Sequence, residues 1–212
     1  MFSQRVTNYP AAGKGPELRT LLEERVKARQ AKGLRTGLST QMFGADGAAY
    51  VITTTYADLA ALEKSRRENQ SDPASRAFQA KLAGLQRVPQ TIELFEILMP
   101  APAAAAEPIF SHRVTQYPAA GKGPELRALL EGRVKDGQAQ GLRVGLSTQL
   151  FGAGGATYVQ TVIYPDLAAY EKRRQANLSD SAFRAYQAKV VELTRMPAKQ
   201  ELFEILVRVP PM

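Results

Sequence analysis

The chain has 212 residues, 44% of them hydrophobic, a formal charge of +8 and no cysteine. Its length and apolar content suit one or two folded domains with cores of their own, while the lack of cysteine excludes disulfides, thiolate nucleophiles and thiolate metal sites together. No apolar run approaches the ~20 residues that span a bilayer, and the opening MFSQRVTNYP lacks the regions of a signal peptide, so the expectation is a cytoplasmic protein with no membrane partner.

Nucleic acid is not an expected partner either. Binding it calls for clustered cations, whereas here acids are interleaved throughout, and the densest groups, Lys64 to Arg67 and Lys172 to Arg174, fall on helix faces that read as solvated. A bias toward anionic ligands is what the charge still implies.

In chain order, Phe2 to Tyr9 alternates apolar and polar residues and reads as a strand. Gly15-Pro16-Glu17 then supplies a turn, a proline suited to the first helical turn and an acid at the positive end of the helix dipole. Leu18, Leu21, Leu22 and Val26 form a helical stripe that stops at Gly33. Strands are expected from Leu34 to Phe43 and from Ala48 to Tyr56, joined by a tight hairpin at Gly44 to Gly47. A helical region follows from Asp58 to about Leu85, broken near Ser71-Asp72-Pro73, and a last strand runs around Glu93 to Leu98.

The whole pattern then recurs. Phe2-Ser3 returns as Phe110-Ser111, and an offset of 108 residues holds without a gap to Leu98 and Leu206, with roughly two-thirds of the positions identical. Tyr9 to Arg19 matches Tyr117 to Arg127 throughout, and Glu93 to Leu98 matches Glu201 to Leu206. The proline- and alanine-rich stretch 100–109 reads as a linker between a first repeat, 1–99, and a second, 110–212.

Each repeat has the order β-α-β-β-α-β, the ferredoxin-like arrangement, with both helices on one sheet face. On the last strand Leu94 and Leu98 point one way while Phe95 and Ile97 point the other, so both faces want burial. The fold expectation is therefore α+β: two ferredoxin-like repeats whose sheets pack face to face as an intramolecular dimeric α/β barrel, a pseudo-dimer held at high effective concentration. Further homo-oligomerisation, or a swapped dimer, stays open.

The passage Gly13 to Leu18, the helix Asp58 to Asn69, Ser71-Asp72-Pro73 and the closing Glu93 to Leu98 together resemble the dimeric α/β-barrel superfamily, and within it the NIPSNAP-like proteins. The resemblance spans nearly the whole chain. It implies a ligand cleft between each sheet and its own helices, in a superfamily that includes cofactor-free monooxygenases acting on phenols, haem-degrading oxygenases, isomerases and proteins without known reaction. A fold of this breadth does not select a reaction.

Candidate site residues come from strand one, whose helix-facing side carries Gln4 and Asn8 in the first repeat and His112 and Gln116 in the second. Polar groups there need a protein donor, a buried water or a ligand. His112 is the only histidine, hence the candidate catalytic base, and Gln4 stands at its counterpart. Tyr50 and Tyr158, in the third strands, complete the candidate ligand-binding set. Arg5, Arg113, Arg35 and Arg143 read as interface ion pairs with Glu93 or Glu201. One histidine and no carboxylate cluster leave no expected metal site, and without tryptophan haem degradation is not expected, so no cofactor is assigned. The Gly13-Lys14 pair is not a phosphate-binding loop, because Asn8 and Pro16 break its pattern.

The leading functional reading is a small-molecule-binding barrel protein, as a cofactor-independent oxygenase or isomerase on an aromatic or enolisable compound, with a small aromatic or anionic ligand. The competing one is a non-catalytic, NIPSNAP-like interaction or stress-response protein.

Overall fold

The computed structural model describes residues 1–44, 47–102, 109–152 and 156–210. The hairpin expected at Gly44 to Gly47 falls partly, and the linker at 100–109 mostly, outside the described residues. The first series of elements is β1 (Phe2–Asn8), α1 (Gly15–Ala31), β2 (Arg35–Phe43), β3 (Tyr50–Tyr56), α2 (Leu59–Ser71), α3 (Pro73–Ala83) and β4 (Thr91–Met99). The second is β5 (Phe110–Gln116), α4 (Gly123–Ala139), β6 (Arg143–Phe151), β7 (Tyr158–Tyr164), α5 (Leu167–Ser179), α6 (Ser181–Leu193) and β8 (Lys199–Val207).

One expectation is corrected. The fold is not a pair of ferredoxin-like repeats with sheets packed face to face, because all eight strands join edge to edge in one closed barrel, in the order β1-β3-β2-β8-β5-β7-β6-β4. Hydrogen bonding to a further strand, rather than contact between two open sheets, satisfies the edges of β2 and β4. The helical region read from Asp58 to about Leu85 is broken at Asp72, as expected, so each series holds three helices, six in all among the described residues. The cause of the break is local. Pro73 has no N–H with which to continue α2, and the Asp72 carboxylate accepts from Ala74 N at 2.9 Å, capping a new helix. Asp180 does the same for α6.

The chain divides into two compact units. One comprises 1–96 with 205–212, the other 97–204. In the first, β1 pairs antiparallel with β3 and β4, and β2 with β3. The α1 stripe Leu18, Leu22 and Val26 is fully buried against Leu38, Ile52 and Leu82, with Leu206 and Val207 packed at the margin. Gly33, at φ +80, takes the left-handed conformation just past the end of α1, where its N–H bonds Gln30 O. In the second unit β5 pairs with β7 and β8, and β6 with β7, around Leu126, Leu130, Val134 and Leu146.

Of the arginines read as interface ion pairs, Arg5 and Arg113 stand opposite Glu93 and Glu201 in the strand register. Arg35 Nε donates to Pro210 O and Arg143 Nε to Pro102 O, each at 3.2 Å. The guanidinium of Arg5 lies 4.3 Å from the Phe95 ring centre and that of Arg113 lies 4.2 Å from Phe203, cation–π stacking that disperses charge on an aromatic face.

Candidate functional site

The first unit holds a cavity of about 620 Å³, within the range of small-molecule sites. Its floor is the sheet: Gln4, Val6 and Asn8 from β1, Ile52 and Tyr56 from β3, Ile92 from β4. Its roof is helical, with Arg25 and Arg29 from α1, Leu62 and Arg66 from α2, and Ser75, Arg76 and Phe78 from α3. Alternation along β1 puts the even-numbered residues on this side.

Among the described residues four arginines line the cavity and no carboxylate does. Arg29 is only 9% exposed; one guanidinium nitrogen donates to the Tyr56 hydroxyl at 3.1 Å, while its Nε–H is buried with no partner among the described residues. Arg25 donates to Asn69 Oδ1 at 2.9 Å and to Ser75 Oγ at 2.8 Å. Burial, and then the positive charge of Arg29, push the Arg25 guanidinium below its usual range, with Asp72 opposing. Asp72 is itself engaged by Lys32 at 3.3 Å.

Of the residues singled out in the sequence, Gln4 and Asn8 line the cavity. Asn8 is nonetheless satisfied within the protein: its amide donates to Val6 O (3.1 Å) and Tyr50 O (3.4 Å), and its oxygen accepts from Gln86 at 2.8 Å. Tyr50 is absent from the lining, and its hydroxyl donates to Gly15 O at 3.2 Å, tying β3 to the start of α1. Tyr158 does the same with Gly123 O at 3.2 Å.

His112 and Gln116 lie in the second unit. The His112 ring meets Tyr170 edge-on at 5.4 Å, and Tyr170 meets Tyr164 at 5.5 Å. Burial pushes the imidazole below its usual range, and a hydrogen bond with the Gln200 side chain partly offsets this. Gln116 is 2% exposed and its amide oxygen has no partner among the described residues, because Thr194 replaces the Gln86 that serves Asn8. Tyr186 donates to Gln160 at 3.2 Å. Among the described residues no group of three or more His, Asp or Glu side chains could hold a metal ion, and no helix is long and apolar enough to cross a membrane.

Arg25 and Arg29 escaped the reading of the sequence. The signal was present: Leu18, Leu22, Val26 and Arg29 fall on one helical stripe, so Arg29 continues a buried face rather than a solvated one.

No family model matches the chain, and no curated protein does. Solved structures do. A protein of Fusobacterium nucleatum subsp. nucleatum ATCC 25586, provisionally named a monooxygenase, superposes with a TM-score of 0.76 at 13% identity, covering 98% of this chain and 94% of that one. An anthrone oxidase-like protein follows at 0.65 and 15% identity, covering 97% and 90%. A provisional monooxygenase of Lactobacillus acidophilus NCFM gives 0.66 at 10% identity, covering 97% and 93%. At such identities the likeness shows a shared fold, and none of the three is described as a NIPSNAP protein.

Proposed function

We propose that the protein binds a small molecule with an aromatic body in the cavity between the sheet and helices of its first unit. The observation that carries the reading is the cavity itself: about 620 Å³, with an apolar surface from Val6, Ile52, Leu62, Phe78 and Ile92 set in a lining that is otherwise mostly polar. The test is calorimetric titration of the purified chain with hydroxynaphthalenes and anthrone. Saturable binding is expected, and Leu62→Tyr combined with Ser75→Phe should abolish it by filling the space with the side chain types at positions 170 and 183. Absence of binding by every aromatic probe at millimolar concentration refutes the proposal.

A second reading, cofactor-independent oxygenation of an enolisable aromatic, is favoured by His112. Held neutral by burial, its imidazole is able to accept a proton near pH 7. That two solved neighbours are provisionally named monooxygenases and a third anthrone oxidase-like supports an oxygenation reading. Anthrone would take up one dioxygen per molecule and give anthraquinone and water. Dioxygen uptake that disappears in His112→Gln supports this reading, and no uptake refutes it.

A further inference from the structure

We infer that the molecule held in the first unit's cavity is an organic carboxylate, seated against Arg29 and Arg25, and that one such anion binds per chain. The inference rests on the small-molecule reading above and commits it to a charge class.

Two guanidiniums share one wall of the cavity, and among the described residues no carboxylate lies within ion-pair distance of either. Arg29 is nine-tenths buried and, among the described residues, has a single hydrogen bond, to the Tyr56 hydroxyl, with its Nε–H unsatisfied. A buried cation without a counter-charge is costly, and a second cation beside it raises the cost. The acid near them relieves it only in part: Asp72 favours the Arg25 charge from beyond ion-pair distance, but is itself engaged by Lys32 and by capping Ala74 N. An anion entering the cavity does, and a carboxylate matches the planar fork of arginine with two oxygens, whereas its apolar body meets Ile52 and Phe78. Arg66 and Arg76 add to the attraction at the lining.

The second unit lacks these elements. Gly137 stands at the counterpart of Arg29, and Tyr170 and Phe183 replace Leu62 and Ser75. The counterpart of Arg25, Arg133, stacks on Phe183 and Tyr186 at 5.2 and 5.6 Å. Arg25 also lies over a ring, Phe78 at 5.1 Å, so what sets the second unit apart is the missing Arg29 and the larger Tyr170 and Phe183 side chains, which leave it no equivalent anion seat.

The experiment compares 2-naphthoate with the isosteric neutral 2-naphthamide by calorimetry on the intact chain. Charge-assisted hydrogen bonds predict at least about tenfold tighter binding of the carboxylate, with one site per chain and weakening in added salt. Arg29→Gln should remove the preference while leaving amide affinity within about twofold, and Arg29→Lys should retain part of it. Equal binding of both probes by the parent overturns the carboxylate assignment and leaves the small-molecule reading standing. Binding of neither overturns both. Two carboxylates per chain overturns the single-site claim, and a preference that survives in Arg29→Gln overturns the seat at Arg29. The parent comparison stands alone if the variants do not fold.

Discussion

The same substitution, glycine to alanine, should have opposite effects at Gly37 and Gly132. At Gly37 in β2, a Cβ would lie 2.8 Å from Val207 O, 2.9 Å from Val209 Cγ2 and 3.0 Å from Val209 N. Two of these atoms are backbone and cannot rotate away. Ordinary carbon contacts begin near 3.4 Å, so the chain at Val207 to Val209 must move off β2, at about 1–3 kcal/mol. The stiffer unfolded chain returns about 0.4–1 kcal/mol, which leaves a net loss of about 1–2 kcal/mol, or ~2–8 °C in Tm for a protein of this size. Gly132 lies within α4 with nothing inside 4 Å. Alanine there should gain about 0.8–1 kcal/mol of helix propensity, raising Tm by ~2–4 °C. Calorimetry reads both, and amide hydrogen exchange at Val207 and Val209 should accelerate in Gly37→Ala alone. If Gly37→Ala is as stable as the parent with unchanged exchange, the close approach of the C-terminal segment to β2 is wrong, and with it the edge that closes the barrel.

Three further outcomes follow from buried polar groups. His112, the single histidine, should titrate below the ordinary value of ~6.5 in a one-resonance NMR experiment; because its folded pKa is depressed, it contributes stability above ~6.5 that is lost as pH falls through the folded value, and His112→Gln should flatten that slope. Burial pushes the Tyr164 and Tyr186 phenols up to about 12; with folded values above the unfolded ~10, their contribution is intact below ~10 and lost as pH rises toward 12, so the double Phe variant should show a shallower alkaline loss of stability in urea titrations. Tyr50→Phe and Tyr158→Phe each remove a hydroxyl bonded to the first turn of a helix, and should each cost about 0.5–1.5 kcal/mol in urea unfolding without changing naphthoate affinity; a matching loss of affinity would place Tyr50 in the ligand site instead.

Much of the candidate site was open to inspection in the sequence, but unevenly. Gln4 and Asn8 stood out because two amides on an otherwise apolar strand face conflict with burial, and both line the cavity. That Asn8 is satisfied by Gln86 was not legible, since the partner lies 78 positions away. Tyr50 and Tyr158 looked like ligand phenols from their place in a strand, while the direction of their hydroxyls depended on where the helix starts packed. Arg29 was hidden by its type: a charged residue at a buried helical phase reads as surface until the sheet beneath it is present.

What the chain determines by itself is local. Alternation of period two, the stripe of Leu18, Leu22 and Val26, the Gly33 stop and the Asp72-Pro73 break are each settled within a few residues, by sterics and capping, and they appear where the elements begin and end. Only the tertiary structure decided which strand edges meet. Backbone N–H and C=O groups are the same in every residue, so the pattern that makes β2 and β8 strands does not say that they are neighbours. The cationic cavity is decided at that level too, because Arg25 and Arg29 on α1 share a wall only once α2, α3 and the sheet enclose them, and burial turns ordinary surface charges into a demand for an anion.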